Sequence, residues 1–565
     1  MEILLNPKRL SRRYPDPRSL EVMRKTVDFF ERKGKRRLKE DYHSQVWYAD
    51  FLAFVAREKI FATMCTPKGY GSADSRWDTW RICEFAEILG FYGLQYWYTW
   101  QVSVLGLGPI WMSRNQTVKE RAARALEQGG IFAFGLSEQT HGADIYSTDM
   151  VVTPRDEGVY SARGRKYYIG NGNQAAITST FGKLAGSDDY VFFAAESSHE
   201  RYEVVQNVCA SQNFVSEFEL KDYPLTEGDI LHKGKAAFYA ALNTVNVGKY
   251  NLGWASIGIC THALYEAIAH AHNRHLYKMR VTDFPHVKRM FVDAYARLVA
   301  MKLFALRACD YMRSASAEDR RYLLYNPMVK MKVTTEGERV INLLWDVIAA
   351  KGFEKSMYFE QAAVDIRGLP KLEGTVHVNI ALIVKFMPNY FFAPAECPDI
   401  PRRDDPADDA FLFAQGPASG LGKIRFHDYH QAFATWDLPN VRVFAQQVEA
   451  FRDMLASAPP NEAQMKDTDF LLAGGELFAL VVYAQLILEN ARLYAIDAET
   501  VDQIFDFMVR DFAEFALQLH NKASSTPEQM QQCLKMIAKP ATDERRTDAV
   551  WATVLALDGA YEMNA

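Results

Sequence analysis

VVTPRDEGVYSARGRKYYIGNG, residues 151–172, decides the fold: its residues alternate in polarity around an Asp156–Glu157–Gly158 turn, inside a chain whose other texture is helical. DYVFFAA at 189–195 is equally β-rich, and FEL at 218–220 closes a further strand-like run. RKYYIGNGN at 165–173 sets two aromatics before a Gly–Asn–Gly hairpin signal. Residues 131–233 are therefore expected to form a β domain inserted between helices.

Outward from that insert, residues 18–130 read as helix, with breakers at Pro67–Gly71 and Gly106–Pro109. The helical period returns from Gly234 to about Met387. A stretch rich in Pro, Asp and Gly follows, APAECPDIPRRDDPADDA and then GPASGLGK, and reads as a linker. Beyond it, Val441, Phe444, Val448, Phe451 and Leu455 recur at helical spacing, as do Val501, Ile504, Phe505, Met508, Phe512 and Phe515. Thr526–Pro527–Glu528 is a cap followed by a helix-starting proline. The expected organisation is a mostly α, α+β chain. It has an N-terminal helical domain (1–130), a central β-barrel-like domain (131–233), a helical bundle (234–390), a linker (391–438) and an extra C-terminal helical domain (439–565).

The length of 565 residues is too great for one ordinary core. Lys+Arg 65 against Asp+Glu 70 gives a net charge of −5, with no basic stripe interleaved with aromatics, so nucleic acid is not an expected partner. The seven cysteines are odd in number, scattered and without a CxxC, which fits a reducing compartment. MEILLNPKRLSRRYPDPRSL lacks an apolar core, so no secretion signal is expected. FLLAGGELFALVVYAQLIL at 470–488 carries Gly474, Gly475, Glu476 and Gln485 and reads as a buried helix before a membrane span.

Three further stretches carry chemistry. In FAFGLSEQTHGAD, 132–144, the small residues Gly135, Gly142 and Ala143 let backbone amides approach a ligand closely, beside the Ser137 hydroxyl and Asp144. A structural turn has the same composition. His270, His272 and His275 crowd Arg274 but do not share one helix face; His262 and His270 do, about 12 Å apart along the axis, too far for one ion. No metal site is expected. FEQAAVDIRGLPKLEGT, 359–375, supplies Glu360, Asp365 and Arg367 and places Glu373 ahead of a flexible Gly–Thr pair.

Taken in order, these stretches resemble the acyl-CoA dehydrogenase family over about residues 20–388. FGLSEQTHGAD at 134–144 looks like its Phe-x-Leu-Thr-Glu-Pro-x-x-Gly-Ser-Asp stretch, and KYYIGNG at 166–172 its Lys-x-Trp-Ile-Thr-Asn-Gly. Arg274 followed by Phe284–Pro285 looks like its Arg-x-x-Phe-Gly…Phe-Gln, and Glu360, Asp365, Arg367 and LEGT its Glu…Arg-Asp-x-Arg…Tyr-Glu-Gly-Thr. The resemblance implies FAD as cofactor and Glu373 as catalytic base, with Gly374 giving it freedom to reach the substrate. It implies flavin contacts at Phe134, Leu136, Ser137, Gly142, Ala143, Tyr168, Gly170, Gly352 and Thr375, with Arg274 and Phe284 holding the pyrophosphate and adenine end of a neighbouring subunit's FAD. The cofactor thus implies a homodimer or a dimer of dimers.

The match is imperfect at three places: Ala143 stands for a serine, Gly170 for a threonine, and AAKGF at 349–353 for a GG-x-G stretch. In VNVGKYNLG, Asn246 and Lys249 resemble the very-long-chain type, as does the C-terminal extension, which implies peripheral membrane association. Trp97 and Gln101, in GLQYWYTWQVS, are expected on the floor of an acyl pocket, with Trp100 beside them. The implied activity is α,β-dehydrogenation of an acyl-CoA in fatty-acid β-oxidation, with electrons leaving to an electron-transfer flavoprotein, in a bacterial cytoplasm or a mitochondrial matrix. An acyl-CoA oxidase, or a weakly catalytic homologue serving as an assembly or lipid-binding scaffold, is the alternative.

Overall fold

Among the residues that the computed structural model describes (3–10, 14, 16–417 and 419–565), helices precede the strands: α1 (Pro17–His43), α2 (Ala49–Arg57), α3 (Ile60–Cys65), α4 (Thr79–Tyr92), α5 (Leu94–Met112) and α6 (Gln116–Glu127). Then come β1 (Phe132–Gly135), β2 (Val151–Pro154), β3 (Val159–Gly170), β4 (Ile177–Leu184), β5 (Tyr190–Ala195), β6 (Tyr202–Asn207), β7 (Val215–Thr226) and β8 (Ile230–Lys233), followed by α7 (Lys235–Gly248). These elements belong to one compact unit, the described residues of Arg12–Asn251, Asp404–Ser419 and Met563–Ala565.

The alternating stretch at 151–172 pairs as expected, β2 antiparallel to β3 across the Asp156–Gly158 turn, with Val152 opposite Ala162. The expected Gly–Asn–Gly hairpin does not form. β3 pairs with β2 and β7, and the chain after Gly170 turns away into β4, which runs parallel to β1 and β2. Asn171 explains the turn. Its φ is +60°, its side chain is buried, and its amide donates to Thr99 O, Ser103 Oγ and Phe132 O while its carbonyl oxygen accepts from Thr99. Asparagine tolerates the left-handed region, and here four bonds tie the turn to α5 and β1 instead of letting it close a hairpin. The strand order is β6-β7-β3-β2-β4-β5-β8, with β1 also on β4. Its core is built from Val152, Ile169, Val191, Phe193, Phe218 and Leu220.

The second unit, the described residues of Met1–Ser11, Leu252–Arg403 and Gly420–Glu562, is helical. It contains α8 (Asn251–Asn273), a short hairpin β9 (His275–Leu276) and β10 (Met279–Arg280), α9 (Pro285–Arg313), α10 (Tyr322–Met328), α11 (Thr334–Ile348), α12 (Tyr358–Gly368), α13 (Val376–Ile383) and α14 (Met387–Phe392). The C-terminal part adds α15 (His430–Ala434), α16 (Pro439–Ser457), α17 (Thr468–Leu493), α18 (Ala498–His520), α19 (Pro527–Lys535) and α20 (Glu544–Leu555). Where the sequence marks a bundle, a linker and a separate C-terminal domain, α17 and α18 pack directly on α9 within this one unit. The Pro/Asp-rich segment divides. Arg403 N donates to Asp310 in the helical unit, whereas Asp408 and Asp409 accept from the Trp77 and Thr79 amides in the sheet-bearing unit.

α17 is long and apolar enough to cross a membrane, and 78% of its most apolar window is buried inside the structure. It packs on α9, α13 and α18, which accounts for its hydrophobicity as a core helix. Charges are buried beside it. Arg297 meets Asp511 and Glu336, Lys332 meets Glu336 at 2.6 Å, and Arg339 meets Asp511. Burial works to raise the Glu336 carboxyl, but the cations of Lys332 and Arg297 override it and hold it far below the usual carboxylate range.

Candidate active site

In the sheet-bearing unit, the loop after β1 is fixed by an ion pair that sequence reading passed over. Glu138 accepts from Lys166 Nζ at 2.6 Å, from Thr148 Oγ1 at 2.5 Å, and from the backbone amides of Asp149 and Met150. Lys166 also donates to Leu136 O at 3.0 Å, and Tyr167 N donates to Ser137 O. Burial works to raise the Glu138 carboxyl, yet Lys166 and the surrounding donors hold it below its ordinary value; burial draws Lys166 down to about 8. Both are charged at neutral pH, so Leu136 and Glu138, on either side of Ser137, are held by charge-assisted bonds. His141 Nε2 and Asp149 Oδ2 lie 2.8 Å apart next to Glu138, close enough together for a cation, but the Glu138 carboxylate already takes the Lys166 ammonium.

Phe134 stacks on Phe192, and Gly142 and Ala143 are exposed, with open space beside the Gly142 Cα. A register shift between Lys166 and Ile169 in the β3–β7 ladder turns Tyr168 outward at φ +66°, leaving it 44% exposed. Such bulges re-aim side chains at functional sites. The Tyr168 hydroxyl lies 3.7 Å from Cys209 Sγ. Gly170 faces the other way: a Cβ there would meet Tyr98 Cε1 at 2.6 Å and Val102 Cγ1 at 2.7 Å. α5 occupies the space a threonine side chain would need.

Gln101 donates to Gly248 O and accepts from Asn251 Nδ2, so its amide fastens α5 to the end of α7. Trp97 is fully buried, and Trp100 packs on Phe61 and Phe85 as core. Asn246 is half-buried near the end of α7, and Lys249 is buried at its C-cap.

In the helical unit, Arg274 lines a cleft of about 820 Å³ with His270, Asn273, His275, Ala349, Ala350, Lys351 and Glu354. Tertiary packing thus brings the 349–353 stretch to Arg274. Burial and the Arg274 guanidinium push His270 below its ordinary value, which leaves Arg274 and Lys351 as the fixed cations, a donor set suited to a pyrophosphate. Gly352 lies beneath Trp345, whose Nε1 would be 2.3 Å from a Cβ, and the same Nε1 donates to Ala349 O. Phe284 sits at the N-cap of α9, half-buried, and does not line the cleft. Tyr277, which sequence reading did not single out, stands three residues after Arg274, the Arg-x-x-Phe spacing, at φ +50° on the β9–β10 turn and 91% exposed. That spacing was the legible signal for it.

Glu373 is half-buried on the turn between α12 and α13, at φ +52°, and Gly374 follows at φ +88°. A non-glycine residue held in the left-handed region costs on the order of 1–3 kcal/mol and is concentrated at functional sites. Thr375 caps α13, its Oγ1 accepting from Val378 N. The turn is gripped from beneath. Lys330 Nζ, fully buried, donates to Pro370 O at 2.6 Å and to Gly374 O, and Asn379 Nδ2 donates to Gly374 O and Thr375 O. Neither residue carries a motif that sequence reading could use.

The family profile described as "Acyl-CoA dehydrogenase, C-terminal domain" matches residues 237–387. The chain is 22% identical over 364 residues to the short-chain specific acyl-CoA dehydrogenase of Megasphaera elsdenii, covering 62% of this chain and 93% of that one. It is 24% identical over 334 residues to subunit CarC of the caffeyl-CoA reductase-Etf complex of Acetobacterium woodii, covering 56% and 84%. The solved structure of an acyl-CoA dehydrogenase complexed with FAD from Bacillus anthracis superposes with a TM-score of 0.77 at 16% identity, over 98% of this chain and 97% of that one, so the fold likeness extends through the C-terminal helices. The profile, the relatives and the shared fold agree with the motifs at 134–144, 166–172 and 359–375: residues 237–387 match the C-terminal domain of acyl-CoA dehydrogenases, and the chain as a whole is similar to that family in sequence and fold.

Proposed function

We propose that the protein is an FAD-dependent acyl-CoA dehydrogenase that introduces a 2,3-double bond into an acyl-CoA thioester of fatty-acid β-oxidation, with Glu373 as the base. The observation that carries this reading is the Glu373 turn: a carboxylate on strained, left-handed backbone, followed by a glycine and anchored by Lys330 and Asn379. The residues present suit the cofactor. Ser137 stands on a pinned loop, Tyr168 is aimed outward by a bulge, and the Arg274–Lys351 cleft matches a pyrophosphate.

When bound, FAD supplies a two-electron acceptor for the β-hydride. Glu373 takes the α-proton, and a carboxylate shielded from water is a stronger base than one in bulk solvent. Gly374 lets the base swing toward the α-carbon while the fixed carbonyls keep its Cα in place. Arg274 and Tyr277 would serve the cofactor of a second copy, which makes a homodimer the functional form. Electrons pass to an electron-transfer flavoprotein, a reading supported by the Etf complex to which the similar Acetobacterium subunit belongs.

Anaerobic mixing of the FAD-loaded protein with acyl-CoAs of graded length and branching tests it. At least one thioester is expected to bleach the flavin band; bleaching by none defeats the reading. Reduced protein that reoxidises rapidly in air without a carrier would assign an oxidase instead.

A further inference from the structure

We propose that Lys330 is the positioning residue of the base: its buried ammonium closes the 370–374 backbone into the one conformation from which Glu373 reaches the α-carbon. This inference rests on the reading of Glu373 as base.

Lys330 lies in a π-helical turn, Val329–Val333, set between α10 and α11. Such wide turns are rare and gather at functional sites, because the extra residue per turn redirects a side chain that a regular helix would place elsewhere. The redirected side chain here is fully buried and points its Nζ at two carbonyls, Pro370 O and Gly374 O, that bracket Glu373 in the chain. A buried ammonium is costly without acceptors, so the two carbonyls are demanded by the lysine as much as the lysine is by them. Bonds to an ionised donor are the strong kind. They fix the backbone on both sides of Glu373, at the point where φ of +52° and then +88° carries the chain through the left-handed region.

Asn379 is the lesser partner. It is buried and donates to Gly374 O at 3.2 Å and to Thr375 O at 2.9 Å, so it steadies the exit of the turn only. Lys330 bonds both the entry and the exit. The arrangement suits proton abstraction: the backbone that carries the Glu373 carboxylate is held on both sides of the residue.

The test uses the FAD-loaded full chain carrying Lys330→Met, which keeps the length of the side chain and removes its donors. FAD content, melting behaviour and thioester KM should stay near those of the unaltered protein, while the rate constant of flavin reduction falls about a hundredfold, the loss expected for a reacting group misplaced by about 1 Å. A 3-thia-acyl-CoA, which has an α-proton but no β-hydride to give, separates the proton step. Its deprotonation, read as a long-wavelength charge-transfer band, should be lost in step with flavin reduction. A purely structural role would move melting and FAD content together and leave the kcat-against-KM split unchanged.

Lys330→Met reducing flavin at the unaltered rate overturns the proposal while leaving Glu373 as base. Flavin that no acyl-CoA bleaches in the unaltered protein overturns the base reading and this inference with it. Should Lys330→Met not fold, Asn379→Leu decides: with Lys330 still in place it should retain at least about a tenth of the rate, and a loss as deep as that of Glu373→Gln would show that Lys330 does not hold the turn.

Discussion

Arg297 on α9 and Asp511 on α18, 214 residues apart in the chain, form a two-pronged ion pair, Nη1–Oδ2 and Nη2–Oδ1 each at 2.9 Å. Both side chains are buried, and Arg297 also donates to Glu336 at 2.6 Å. Asp511 also meets Arg339, so removing it takes a carboxylate from two guanidinium groups at once and leaves Arg297 with Glu336 as its close partner. Asp511→Ala should therefore lower stability by about 3–5 kcal/mol, read as a drop in the urea midpoint at unchanged slope. Deleting residues 440–565 takes Asp511 from Arg297 and Arg339 and uncovers the face of α9 that packs on α17 and α18, so the truncated chain is expected to aggregate. A soluble, FAD-binding truncation would show that the charge network is dispensable.

Glu373→Gln removes the proposed base and leaves the shape of the turn. Flavin reduction should fall by about 10²–10⁴-fold, with FAD content and thioester binding retained. Stopped-flow absorbance at the flavin band reads the rate directly, and a Gln variant that still bleaches at the unaltered rate would refute the assignment.

Glu489 on α17 makes the fold sensitive to acid. Burial works to raise its carboxyl, but the hydrogen bond to His427 and the Arg307 guanidinium outweigh it and hold it at about 2, against an ordinary 4.5. The folded-state value is depressed, so the stabilisation is complete above 4.5 and drains away as pH falls toward 2. It is worth on the order of 3 kcal/mol. Glu489→Gln should lower stability at pH 7 and flatten the decline between pH 4.5 and 2, as measured by urea unfolding at stepped pH.

Gly170→Thr restores the family's residue and should nevertheless harm this protein. The new Cβ would lie 2.6 Å from Tyr98 and 2.7 Å from Val102, and overpacking of that kind costs about 1–3 kcal/mol. A lowered melting temperature without tighter FAD binding is the expected result.

Arg274→Ala should leave each chain folded, because the cleft that the residue lines is open to solvent, while lowering the FAD-to-protein ratio after purification. Removing a charge-assisted bond of this kind costs on the order of 1.5–3 kcal/mol. An unchanged FAD titration would detach Arg274 from the cofactor.

The sequence by itself determined the kinds of element and much of their order. Alternation at 151–172 is legible because one face of β2 and β3 is buried, and the Val501–Phe515 stripe because α18 buries one side. Both are properties of single elements, as is the Glu–Gly–Thr turn. Only the tertiary structure decided that Asn171 ties a turn to α5 and forbids a hairpin, that Tyr98 and Val102 exclude a side chain at 170, and that residues 349–354 join Arg274 in one cleft. It also decided that Lys330 reaches beneath the turn that carries Glu373. Periodicity records how much of a residue is removed from water but not which distant groups replace the water, and a buried polar side chain takes its meaning from those groups.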